Sequence, residues 1–314
     1  MAWTLLIPLI AGAASAMMFA SITTGAPTAL FLFYLSPLPL MTAALGWGAI
    51  NALVGGIIGA GIVGFLFGWP HLAGFAIAIA FPSWWSGRLA LLARAHAAND
   101  EQAALEWYPI GQLVLWLAGC AVIIALSGLL TLGSDEASIH ATLRAGLARV
   151  IGVAPAPGDG ATLIDFLIQT APAAAASVAM MALVGNLWLA ARALRSAGRL
   201  LRPWPDLRAI RYPNAALVAL ALTGALSLAG GLFGMAAQAA FATLTVAYGL
   251  SGLGLIHLLT GTISGRGFIL ATIYAAVLIF GWPGLILSIA GIADALFNLR
   301  ARFLNRPQPP TLTS

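Results

Sequence analysis

Residues 113–130 read LVLWLAGCAVIIALSGLL, an apolar run with no charged side chain. A helix needs about 20 such residues to cross the hydrocarbon core of a bilayer, and this run extends to Trp107 and Leu132. Further runs lie outward in both directions, at 4–20, 27–68, 71–95, 171–194, 214–233, 235–262 and 267–299. The stretch 27–68 is too long for one crossing and is interrupted at Pro37, Pro39 and Gly46-Trp47-Gly48, so it reads as two helices. The last run reads as two short helices turning at Gly281-Trp282-Pro283. At 4–20 the missing basic leader and the prompt return of apolar sequence argue for a retained helix over a cleaved signal. The expectation is an all-α protein, a polytopic transmembrane helical bundle of eight to ten membrane segments. It forms one domain over 1–300, with a short tail at 301–314.

Composition supports this reading. The 314 residues are 61% hydrophobic and 7% charged, against about 25% charged in soluble domains. All fourteen cationic residues are arginine. Without lysine there is no Walker A loop, no Schiff-base lysine and no Ser-x-x-Lys base, so ATP hydrolysis would have to come from another chain. The net charge of +5 is scattered between apolar runs and not interleaved with aromatics in a polar domain, which points to membrane topology and away from nucleic acid. Cys120, the single cysteine, reads as a small packing residue.

The segment 192–211 carries six arginines against Asp206, and the positive-inside rule places it in the cytoplasm. Counting crossings from there puts 133–170 outside and both termini inside a bacterial inner membrane. Within 133–170, Ile139, Leu143, Leu147, Val150 and Ile151 recur at helical spacing; they describe an amphipathic helix lying in the interface or packed on the ends of the spans. Phe67-Gly68-Trp69-Pro70 recurs as Phe280-Gly281-Trp282-Pro283, both at outer turns where Trp suits the headgroups and Pro starts a helix.

Catalytic motifs fall short. Gly249-Leu250-Ser251-Gly252 matches the Gly-x-Ser-Gly of rhomboid-type proteases, but the only histidine beyond it is His257. Six helical steps put the two side chains on different faces, about 9 Å apart along the axis, out of hydrogen-bond reach. His71, His96, His140 and His257 are isolated and no His-Glu-x-x-His is present, so no metal site is expected. Gly291-Ile292-Ala293-Asp294 is not the Gly-x-Gly-Asp of aspartyl intramembrane proteases, and no second membrane aspartate completes a dyad. The chain reads as no enzyme, with no cofactor.

What remains is polar residues at costly depth. Asp294 lies inside the last run with Asn298 one turn on; it faces either a cavity or an arginine partner such as Arg300 or Arg266. His257 shares a face with Gly254, Thr260, Gly261 and Ser264. Pro37 and Pro39 interrupt a span, and a broken helix frees backbone groups that transporters use for binding. The expected substrate site is therefore His257, Asp294 and Asn298 with Pro37 and Pro39 nearby. Asn186 reads as an interhelical hydrogen bond. Small residues at four-residue spacing, Gly12, Ala16 and Ala20, and Gly56, Ala60, Gly64 and Gly68, mark close helix packing, within the chain or against membrane protein partners.

Pro37-Leu38-Pro39, Gly46-Trp47-Gly48, the glycine-rich helix to Gly68, Leu255-Ile256-His257 and Gly291-x-x-Asp294-x-x-Phe297-Asn298-x-Arg300 together resemble the YybS-like bacterial predicted membrane proteins, over essentially the whole chain. That family has no assigned activity and is distantly similar to the substrate-binding S components of energy-coupling-factor transporters. Those bind a vitamin or metal in a helical bundle and borrow ATPases and a coupling subunit, contacted through small residues of the first helix. Gly12, Ala16 and Ala20 match that pattern in kind, whereas the chain exceeds the usual six spans. The resemblance implies a small-molecule binding or transport component; the other reading is a membrane scaffold in the lipid bilayer that binds no solute.

Overall fold

The computed structural model describes residues 2–95, 105–151 and 159–304. Two units are distinguished, Met1–Pro205 with Leu222–Thr243, and Asp206–Ala221 with Leu244–Ser314.

In the first unit, α1 (Ala2–Ala20) leads by a short 3-10 turn to α2 (Pro27–Leu35) and α3 (Leu38–Trp47), which together make one broken span. Gly48, at φ 100°, turns the chain into α4 (Ala49–Phe67), and Gly68, at φ 87°, turns it into α5 (Trp69–Phe75). These are backbone conformations that a side chain would resist. A π-helical stretch at 76–80 joins α5 to α6 (Phe81–Ala90), just ahead of Pro82, whose missing N–H and bulky ring disturb a regular α ladder there. A hairpin of β1 (Ala93–Ala95) and β2 (Leu105–Trp107) precedes α7 (Ile110–Leu130), α8 (Glu136–Ile151) and α9 (Asp159–Ser196). Two further helices, α10 (Asn214–Leu226) and α11 (Gly231–Leu259), begin in one unit and end in the other. The second unit continues with α12 (Arg266–Phe280), α13 (Pro283–Phe297) and α14 (Leu299–Leu304).

Six helices are long and apolar enough to cross a membrane among the described residues: Leu5–Thr24, Pro27–Trp47, Ala49–Phe67, Ile110–Leu130, Thr162–Ser196 and Gly231–Leu259. The pair α12 and α13, bent by 120° at Gly281, adds a seventh if taken as one span. The chain is thus an all-α, multi-pass membrane protein. The expected eight to ten segments included two that fall below this measure. At 13 residues α10 is about 20 Å long, and the stretch expected at 71–95 leaves helix at Ala90 for the hairpin. Conversely α9, at 38 residues, starts well before the expected re-entry near Ala171.

Burial follows lipid solvent. Phe65 is 91% and Leu278 80% exposed, while Ser15, Ser83, Asn186, Asp294 and Arg300 are buried. Without a hydrophobic drive between helices, close backbone packing holds them together. Gly12 meets the Gly55 backbone on α4, and a methyl at either would overlap the facing chain; Ala16 is buried in the same core. Farther along α4, Gly56 faces Ala80, Gly59 faces Phe75 and Gly64 faces Leu72. Of the two neighbours open to the small stripe of the first helix, its own chain supplies the one at Gly12, which meets α4; Ala20 is partly buried.

One end of this unit gathers arginines around the helix ends. Arg202 donates to the carbonyls of Ala90 (3.2 Å) and Tyr108 (3.0 Å), Leu201 N–H donates to Leu45 O (3.2 Å), and Arg199 lies over the Trp47 ring. The ends of α3, α6 and α9 and the start of α7 therefore share one arginine-bearing side. At the other ends of α7 and α9, the α8 residue Ile139 packs fully buried with Leu129 and Met235, and Arg144 pairs with Asp165. Of the two placements open to the amphipathic helix, this first half is packed on the span ends, whereas Val150 is 85% exposed.

Candidate functional site

Helix α13 stops at Phe297 because Asn298 adopts the left-handed conformation, φ 51°, and its N–H closes on Asp294 O at 2.9 Å. Asn tolerates that region better than other side-chain-bearing residues. The turn brings Arg300 back onto Asp294. The Arg300 backbone N–H donates to Asp294 Oδ1 at 2.9 Å, and its Nε lies 2.7 Å from Asp294 Oδ2 in an ion pair. Asp294 is 7% and Arg300 2% exposed, so the pair is buried. Nη1 donates to the carbonyls of Arg208 and Ile210, and Nη2 donates to Ser251 O (2.7 Å) and Oγ (3.0 Å). Burial and the neighbouring Arg211 act to lower the Arg300 pKa and Asp294 opposes them; a guanidinium stays charged throughout. Beside this node Tyr212 donates its hydroxyl to Ala247 O at 2.7 Å, and burial pushes its phenol far above the ordinary value.

The Gly249-Leu250-Ser251-Gly252 motif belongs to the same node. A methyl at Gly252 would overlap the Leu287 carbonyl and one at Gly291 the Tyr248 carbonyl, so α11 and α13 touch backbone to backbone here. Ser288 Oγ donates to Thr245 O at 2.8 Å across that contact. Ser251 Oγ accepts from Arg300 and points its own proton at Ile210 O, 3.4 Å away.

His257 has other partners. Its Nε2 lies 2.9 Å from Tyr274 Oη and its Nδ1 3.3 Å from Arg266 Nη2. Since a guanidinium only donates, Nδ1 is the accepting nitrogen and Nε2 carries the proton in the neutral ring. Of the expected substrate residues, Asp294 is therefore held by Arg300, Asn298 caps α13 and is exposed, and His257 joins Tyr274 and Arg266. Of the two partners open to Asp294 in sequence, Arg300 holds it.

Pro37 and Pro39 lie in the first unit, where they part α2 from α3. The carbonyls near the break find partners in the chain: Phe33 O accepts from Ser36, Tyr34 O from Asn186 Nδ2 at 2.7 Å, and Pro37 O from Met41 N–H and Ser83 Oγ. Asn186 makes the interhelical bond its position suggested.

A cavity of about 130 Å³ in the first unit was not anticipated. It is lined by Glu136 and His140 of α8, Gln169 of α9, Ala229, and Met235 and Gln238 of α11. Glu136 and His140 are one turn apart on one face of α8, which is visible in sequence; that Gln169 and Gln238 join them is not, because three separate helices meet there. Among the described residues no cluster of His, Cys, Asp and Glu could hold a metal ion. No family model, curated protein or solved structure matches the chain.

Proposed function

We propose that this protein is a small-molecule binding or transport component of the bacterial inner membrane, resembling an S component and without an ATPase of its own. The observation that carries the reading is the make-up of the first unit. Six of its segments, α1, α2 with α3, α4, α5 with α6, α7 and α9, follow one another as an S component's six helices would, and the polar cavity lies where α9 meets α8 and the start of α11. The spans beyond six that set the chain apart from S components fall largely in the second unit. In that unit the Arg300 node ties α13 to α11 and to the loop before α10, a holding role that does not need a substrate.

Orientation follows the arginines. The side where Arg199 and Arg202 meet the ends of α3, α6 and α7 is cytoplasmic by the positive-inside rule, which leaves α8 and the cavity outside. With α5 and α6 together, α10, α12 and α13 each taken as one crossing, the passages would number ten, and both termini would lie in the cytoplasm. Native mass spectrometry of the full chain, released from detergent, tests the reading. A bound small molecule in repeated preparations is expected. A chain that is always empty and carries only a stoichiometric protein partner would favour a scaffold.

A further inference from the structure

The cavity between α8, α9 and α11 has a lining that selects among ligands. Glu136 is the only carboxylate lining it among the described residues, and its Oε2 accepts the Gly231 N–H at 2.6 Å. That bond fixes the carboxylate. The other oxygen, Oε1, lies 4.0 Å from His140 Nε2, beyond hydrogen-bond range. Gln169 and Gln238 bring amide oxygens and N–H groups that make no hydrogen bond among the described residues. Arg144, the nearest cation along α8, is taken by Asp165 and does not line the cavity. The lining therefore offers one carboxylate, an imidazole, the two glutamine amides and an apolar wall from Met235 and Ala229.

The pocket opens to its surroundings, with the His140 and Glu136 side chains 30% and 39% exposed, and its volume of about 130 Å³ seats a group of a few non-hydrogen atoms. We propose that this cavity binds a small organic ammonium ion. The ammonium lies against Glu136 Oε1 and the glutamine carbonyls, and a short polar or apolar tail lies against the amides and Met235. The assignment rests on the reading of the protein as a solute-binding component and names the class of solute taken at its outer end.

The full chain in detergent is titrated calorimetrically with ethanolamine and with butylamine at neutral pH, with acetate and glycerol as controls. Saturable binding of the amines and none of the controls is expected. Glu136→Gln keeps an acceptor for Gly231 and removes the charge; it should weaken amine binding about tenfold or more, the scale of one charge-assisted hydrogen bond. Gln238→Met leaves the Gly231 bond untouched and should weaken binding severalfold, so the test survives if the first variant does not fold. Glu106→Gln, on the hairpin and outside the cavity, should leave affinity unchanged. No amine binding at millimolar concentration, or equal binding by Glu136→Gln, overturns the proposal. A co-purifying molecule that native mass spectrometry finds still bound in Glu136→Gln would leave the solute-binding reading standing while removing this site from it.

Discussion

Arg300 engages all three guanidinium nitrogens within its own unit, and that fixes what loss of its partner should do. Asp294→Asn leaves a buried cation without its counter-ion, which costs about 3–5 kcal/mol. Thermal unfolding in detergent should show the drop, and replacing both residues by apolar ones should recover part of it, because an unpaired charge costs more than an absent pair. Ser251→Ala removes one of several contacts to Arg300 and should cost about 1–2 kcal/mol; a nucleophile's loss would abolish activity at unchanged stability. Tyr212 gives a pH signature. Its folded pKa lies above the unfolded value of about 10, so its contribution is whole below that pH and declines as pH rises toward the folded pKa. Tyr212→Phe should lose about 1 kcal/mol at neutral pH and flatten the alkaline fall. In sequence Asp294 was legible as costly and in need of a partner. Which partner was not, because the choice depends on a left-handed turn at Asn298 and on carbonyls some ninety residues away.

Helix α1 and helix α4 meet through Gly12 and Gly55, where backbone faces backbone and cannot give way. Gly12→Ala should destabilise by about 1–3 kcal/mol. Gly61→Ala on α4, with nothing near its would-be methyl, should be neutral or stabilising by about 0.5–1 kcal/mol from helix propensity alone. If the two changes have equal effects in thermal unfolding, the packing account of this pair fails. The repeated Phe-Gly-Trp-Pro turns share one local geometry: Gly68 and Gly281 both have positive φ, and Pro70 and Pro283 both open the following helix. Elements of this kind were legible, since long apolar runs and their Gly and Pro punctuation act locally. Less so were the lengths. The extension of α9 back to Asp159 runs through mixed sequence, with Asp165 and Gln169 among apolar residues, and is stabilised by contacts with α8, such as Arg144 with Asp165, that no local pattern announces.

Across the whole chain, the account depends on direction. Charge bias in 192–211 was readable residue by residue, whereas the meeting of Arg202 with Ala90 and Tyr108, which gathers the basic loops of the first unit on one side, required the fold. The cavity was hidden for the same reason: its walls come from residues 136 to 238, and only packing brings them together. A cavity for outside solutes has to face outside, so the most direct measurement is labelling of single cysteines, in a Cys120→Ala background, by a membrane-impermeant maleimide in intact cells. Ser134→Cys, just before α8, should label, and Ser196→Cys, at the end of α9, should label only after the membrane is permeabilised. Labelling of Ser196→Cys in intact cells with Ser134→Cys protected would contradict the account.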